Sequence, residues 1–196
     1  MELAVKKEFE FRRDGLVMLP YDPKIGVLNE ESLVSFYDRL HVEDLWDIVF
    51  HENPDMSLRE FLNFFNVPIN LLQVFTIAEG DKFVDVAGLA WLSDITICQG
   101  ILIRGLGSFV FFKKYQSPRY TDGFCKIILD YWFNVLMINT IVGVTPAENR
   151  LALLYVKRAG FREVGRVPSY TTLGNRVMDG VITSMTKEEY LSIAGG

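Results

Sequence analysis

The residues best suited to chemistry gather in two places along the chain. One is Gln116-Ser117-Pro118-Arg119-Tyr120-Thr121-Asp122-Gly123, which follows Lys113 and Lys114 and leads into a run with helical periodicity. A helix N-terminus presents unpaired backbone N–H groups and a partial positive charge, so an anion docks there. Arg119 can offer a bidentate guanidinium to a phosphate, and the two lysines add charge. Asp122 opposes them. The other place is Thr145-Pro146-Ala147-Glu148-Asn149, between a short apolar run and a helical one. Thr, then Pro, then Glu three residues after the Thr, reads as a helix start with Thr145 at the N-cap and Pro146 at the first helical position. With the cap assigned to Thr145, Asn149 is not needed to cap the helix; the alternative is that Asn149 is itself a cap or first-turn polar residue.

Other candidates carry less. Gly100, Gly105 and Gly107 are not followed by Gly-Lys-Ser/Thr, so they form no phosphate loop of that kind. His41 and His51 are ten apart with no third ligand beside them and read as solvated helix residues, so no metal site is expected. Cys98 and Cys125 read as small buried apolar residues. Trp46, Phe50, Phe61, Phe64 and Phe65 read as core or cleft wall rather than a platform for stacked bases.

The elements that must position these residues follow from periodicity. Val5 to Phe11 and Leu16 to Leu19 are extended runs around Asp14-Gly15, a hairpin signal. A helical region spans Ser32 to Phe65, broken at Pro54, with a capping box at Ser57 and Glu60 opening a second helix from Leu58. Three strands follow, Leu71–Ala78, Phe83–Ile97 and Ile101–Tyr115, the first two joined by Glu79-Gly80-Asp81. Phe124, Ile127, Ile128, Tyr131, Val135 and Ile138 then mark one face of a long helix. Thr140–Val144 reads as a strand buried on both faces. A helix to Ala159 stops at Gly160, and two strands, Arg162–Thr171 and Arg176–Met185, close the chain around Leu173-Gly174-Asn175. This order makes an α/β chain with a mixed sheet.

At 196 residues the chain is expected to form one domain, 1–196. With 49% apolar and 23% charged residues it is globular rather than disordered. A net charge of −5 argues against a nucleic-acid partner. The longest apolar run is too short to span a bilayer, two cysteines make no disulfide framework, and the first residues lack a signal-peptide core. A cytoplasmic protein, monomer or homodimer, without membrane contact is therefore expected. The charge is unevenly spread. Glu30 to Glu60 holds nine acids against two bases, net −7, leaving +2 for the remainder. Such a segment is either a solvated helix face or a rim that attracts a cation.

Leu129-Asp130-Tyr131-Trp132-Phe133, the short strand, Asn149, Ala152 three residues on, Gly160 and Phe161 eleven and twelve on, and the closing Val177–Val181 and Met185–Tyr190 form a further pattern. Across Cys125 to Tyr190, about a third of the chain, it resembles the C-terminal half of the GCN5-related N-acetyltransferase (GNAT) family. Within that family it is most similar to the subgroup that acetylates ribosomal-protein N-termini and to related small-molecule acetyltransferases. The resemblance implies a mixed, mostly antiparallel central sheet splayed in the middle and flanked by about four helices. It implies acetyl-CoA as co-substrate and an amine acceptor: a peptide N-terminus, a lysine or a polyamine-like molecule. It places Phe111, Lys113, Gln116, Ser117, Arg119, Tyr120, Thr121, Asp122, Gly123 and Asn149 at the cofactor, with Asn149 on the pantetheine arm. The family's loop carries glycines where this chain has Ser117 and Arg119, or Arg119 and Thr121 in another register, so Arg119 would replace backbone contacts. The family's catalytic Tyr falls at Val156, with Tyr155 one residue early. Tyr155 is the candidate acid for the departing thiolate, or else a core aromatic. The strand Ile101–Tyr115 holds no acidic residue, and Asp94, Tyr120 and Tyr170 are the unranked substitutes. A GNAT-fold CoA-binding or structural module without catalysis is the alternative, and a binding domain unrelated to the family is the third reading.

Overall fold

The computed structural model describes residues 11–21, 28–67, 70–80, 82–173 and 176–195. The extended run expected over 5–10, Asp81, and the turn residues Gly174 and Asn175 lie outside the described residues. The chain opens with the hairpin β1 (Phe11–Arg13) and β2 (Leu16–Pro20). Asp14 and Gly15 both take positive φ, 51° and 77°, the geometry a tight hairpin turn demands. Three helices follow: α1 (Glu30–Val42), α2 (Trp46–Val49) and α3 (Leu58–Asn66). Asn29 caps α1 by accepting from the Ser32 N–H, and the capping box expected at Ser57 and Glu60 opens α3. Trp46, Phe50, Phe61 and Phe65 are buried together, and Phe50 stacks on Trp91 of the sheet at 5.6 Å. This is the core role expected of these rings.

The strands β3 (Leu71–Glu79), β4 (Lys82–Cys98) and β5 (Ile101–Phe111) form an antiparallel meander. The run read as strand to Tyr115 leaves the sheet at Phe111, and a 3₁₀ turn, Lys113–Tyr115, takes its place. Next come α4 (Pro118–Asp130), a π-helical turn (Tyr131–Val135), β6 (Thr140–Pro146), α5 (Arg150–Arg158), β7 (Arg162–Leu173), β8 (Arg176–Thr186) and α6 (Lys187–Ala194). The long amphipathic face holds through Ile128, but the π turn rotates Val135 out to solvent. The helix α6 was not expected. Thr186 and Glu189 form a second capping box, and the register of β8 ends where it begins. Among the described residues, then, the short α2 and α6 stand besides four longer helices.

The sheet runs β1-β2-β3-β4-β5-β6-β8-β7 and is antiparallel except where β5 meets β6. There the pairing lasts three residues, Arg104–Thr140 to Leu106–Val142. Beyond it the strands part, the splay that the resemblance implied. The expectation that Thr140–Val144 is buried on both faces fails for the same reason: Val142, Gly143 and Val144 are half-buried, because the β5 side is open. Glycines fit helix to sheet near this point. A Cβ at Gly107 would lie 2.8 Å from Ile141 and 3.2 Å from Trp132, and one at Gly105 3.0 Å from Ile138. Under β3, β5 and α4, Phe75 stacks on Phe124 at 4.6 Å and on Phe111 at 5.4 Å. Gln73 and Trp132, both buried, join by a 3.0 Å bond from the indole Nε1–H to the Gln73 Oε1.

Candidate active site

A cleft of about 290 Å3 opens where β5 and β6 part. Gly107 to Phe111 form one wall, Gly143 to Pro146 the other, and Asn149, Ala152, Tyr155 and Val156 of the α5 region close one end. Asp44, Leu45, Ile48 and His51, from the segment around α2, reach it from the other side. Every second residue of a strand turns its N–H and C=O toward the same neighbour. Past Leu106 and Val142 those groups on β5 and β6 lose their ladder partners across the gap and face the cleft.

The cap of α5 differs from the sequence reading. Thr145 and Pro146 continue β6, paired with Val181 and Gly180 of β8, and the Ala147 N–H donates to the Asp179 carbonyl. A strand with one open edge accommodates a proline, and pairing to β8 holds the chain extended two residues longer than Thr-Pro suggests. The N-cap is Asn149, whose Oδ1 accepts from the Ala152 N–H at 3.1 Å. Thr145 therefore does not free Asn149 from capping. Asn149 caps and lines the cleft at once: its oxygen is used, and its NH2 has no partner among the described residues.

The candidate cofactor residues divide by position. Phe111, Lys113 and Gln116 line the cleft with Asn149. Gln116 Nε2 folds back to donate to the Phe111 carbonyl at 2.8 Å. The Lys113 N–H donates to Glu43 at 2.6 Å, and its Nζ reaches Asp44 at 3.4 Å. Ser117 is the N-cap position of α4, and its carbonyl accepts from the N–H groups of Tyr120 and Thr121. Pro118 at the first helical position removes one donor that an anion could use. Arg119 is exposed on that first turn beside the Tyr120 ring, with no acidic partner among the described residues. Tyr120 packs edge-on against Tyr115. Thr121 is buried and bonded to the Ser117 carbonyl. Gly123 serves packing: a Cβ there would lie 2.3 Å from Leu16. Asp122 pairs with Arg158 of α5, so its charge is compensated away from the helix terminus.

Tyr155 is buried and lines the cleft, and its hydroxyl donates to the Gln116 carbonyl at 2.5 Å. Burial raises its pKa, with Asp122 adding to the rise and Arg158 opposing it, so the phenol holds its proton at neutral pH. Val156 also lines the cleft. Of the substitute groups, Asp94 sits exposed on a β4 bulge at φ 48°, outside the cleft lining. Tyr170 donates its hydroxyl to Glu52 and packs near His51. The expectation of solvated helix histidines fails for His51: it stands in the turn after α2, lines the cleft, and its Nε2 is buried. No local pattern marks it, because its surroundings come from β7, more than a hundred residues away.

No protein-family model matches the chain, and no curated protein matches it. Solved structures do. Spermidine N-acetyltransferase from Vibrio cholerae in complex with CoA and spermine is 16% identical, with a TM-score of 0.74 over 91% of this chain and 99% of that one. A dodecameric structure of spermidine N-acetyltransferase from Vibrio cholerae in an intermediate state is 17% identical, with a TM-score of 0.71 over 93% and 99%. Neither singles out the ribosomal-protein subgroup. The likeness is one of fold: this chain has the GNAT acetyltransferase fold along nearly its whole length.

Proposed function

We propose that the chain is an acetyl-CoA-dependent N-acetyltransferase that moves an acetyl group to an amine: a peptide N-terminus, a lysine or a polyamine-like acceptor. The observation that carries this reading is the parting of β5 and β6 after three pairs, with Asn149 at the end of the gap. An extended chain with amide groups, such as a pantetheine arm, can satisfy the main-chain groups that the gap leaves unpaired. The free NH2 of Asn149 supplies one more donor. Arg119, uncommitted on the first turn of α4, is suited to the pyrophosphate, where it stands in for absent glycines. The comparison structure with CoA and spermine has the same fold. Asp44 lines the cleft, exposed and paired with Lys113 at 3.4 Å, and exchange of that lysine for a cationic acceptor keeps its charge compensated. Other acids of the negative segment have structural work: Glu60 closes a capping box, and Glu43 holds Arg39 and the Lys113 N–H.

Transfer needs a neutral amine, whereas an alkylamine such as a lysine side chain has a pKa of ~10.4. It also needs a proton for the departing sulfur. Tyr155, protonated and on the cleft, is the proposed donor, and gives up its bond to Gln116 to act. That same bond favours the second reading, a CoA-binding module without turnover in which Tyr155 only straps α5 to the loop before α4. Calorimetry with acetyl-CoA and desulfo-CoA, followed by transfer assays on a panel of amines, separates the readings. Binding with transfer supports the enzyme, binding alone supports the module, and absence of both overturns both.

A further inference from the structure

His51 is held in one tautomer. Its Nδ1 lies 3.1 Å from the Ile48 carbonyl oxygen. A carbonyl only accepts, so Nδ1 carries the hydrogen, and in the neutral ring Nε2 holds the lone pair. Nε2 is buried without a hydrogen-bond partner, alone in this among side-chain atoms of the described residues. Buried acceptors are nearly always satisfied, so an orphan on a residue that lines a cleft marks a place for a donor brought from outside. The surrounding turn is fixed to β7. The Thr171 hydroxyl donates to the His51 carbonyl at 3.0 Å, the Tyr170 hydroxyl donates to Glu52, and the Tyr170 ring packs 5.6 Å from the imidazole. Tyr170 rides on a break in the β7 register between Val167 and Thr171, beside Ser169 at φ 52°. For Nε2 to meet an acceptor amine, the side chains that bury it must first shift. No acidic residue on β5 competes for the task of base.

We propose that His51 is the base that takes a proton from the acceptor amine, an assignment that rests on the transferase reading. The amine arrives as an ammonium, and Nε2 accepts one proton. The freed nitrogen pair forms the C–N bond at the thioester carbonyl as the C–S bond breaks. The second nitrogen proton balances the one taken up by sulfur, and the imidazolium releases its own to water. One ammonium and one thioester give one amide, one thiol and one proton.

The test is His51→Asn, assayed with primary alkylamines of similar size and falling basicity. The Asn amide can keep the bond to the Ile48 carbonyl while offering no base at the Nε2 position, so the fold is retained and acetyl-CoA affinity is unchanged. Loss of a general base costs ~10²–10⁴-fold in rate, and this deficit is expected with the most basic amine. It should shrink steadily as basicity falls, because a weakly basic amine is already neutral. A deficit equal across the series marks a structural role and overturns the proposal, as does no deficit. Wild-type protein that binds acetyl-CoA but acetylates no amine overturns the proposal together with the transferase reading. Transfer by the wild type with a flat deficit overturns the proposal alone.

Discussion

Arg119 and Tyr155 each carry a hydrogen-bonding group whose job can be isolated by one substitution. Arg119 is exposed and unpaired by acids among the described residues, so Arg119→Ala should leave stability nearly untouched. If the guanidinium meets phosphate, the loss should cost ~1.5–3 kcal/mol of CoA affinity and leave a pantetheine fragment without phosphates unaffected. Titration of both ligands checks this, and equal losses would remove Arg119 from the pyrophosphate. Tyr155→Phe keeps the ring and deletes the bond to Gln116. It should lower the melting stability by ~1 kcal/mol and the acetyl-transfer rate by ~10²–10⁴-fold, with acetyl-CoA affinity little changed. Stability loss with an intact rate would reduce Tyr155 to a strap. Both residues were legible in the sequence as candidates. What the sequence left unseen was the carbonyl that Tyr155 faces, thirty-nine residues upstream.

Elements here end where partners end, and local signals locate those ends unevenly. Ser57 and Glu60 open α3 as their types require, because a capping box closes within four residues. Thr145 and Pro146 carry a helix-start signal just as plain, yet stay in β6 because β8 pairs with them. The π turn after α4 likewise answers to what it packs on. Its Trp132 reaches through the core to Gln73 of β3. Gln73→Met keeps the volume and leaves the indole N–H buried without a partner. Chemical denaturation should show a loss of ~1–3 kcal/mol, the cost of an unsatisfied buried donor. Adding Trp132→Phe should recover part of it, and a fully additive double mutant would show that the pair does not couple.

At the scale of the whole molecule, Asp85 ties the helical segment to the cleft side of the sheet. From β4 it accepts from Arg39 of α1 at 3.3 Å and from Lys114 at 3.1 Å and the Tyr115 hydroxyl at 2.6 Å, both on the 3₁₀ turn. Arg39 also lies 3.8 Å over the Phe112 ring. Partial burial pushes the Asp85 pKa up, but Tyr115, Lys114, Arg39 and the Val86 N–H together push it down further, below its ordinary value. A depressed carboxylate pKa stabilises the fold above the unfolded value, about 3.9, and this contribution fades as pH falls through the folded value. Asp85→Asn should therefore cost ~1.5–3 kcal/mol near neutrality. The gap to wild type should close below pH about 4. Thermal melts at several pH values test this, and a gap constant with pH would show that the charge of Asp85 carries no stability.

By itself the sequence determined what short-range chemistry can settle. The Asp14-Gly15 hairpin, the Ser57 capping box, the alternation of β3 to β5 and the spacing from Asn149 to Phe161 each depend on a few neighbouring residues. Together they gave the order of the strands and of the helices up to α5, and the fold through the family resemblance that the last of these spacings carries. The tertiary structure alone decided where β5 and β6 part, that Asn149 rather than Thr145 caps α5, that Asp122 turns to Arg158, and that His51 lies under β7. Each of these rests on a partner tens of residues away or more, and pairing in space can overrule local preference because it adds hydrogen bonds and burial that no local window contains.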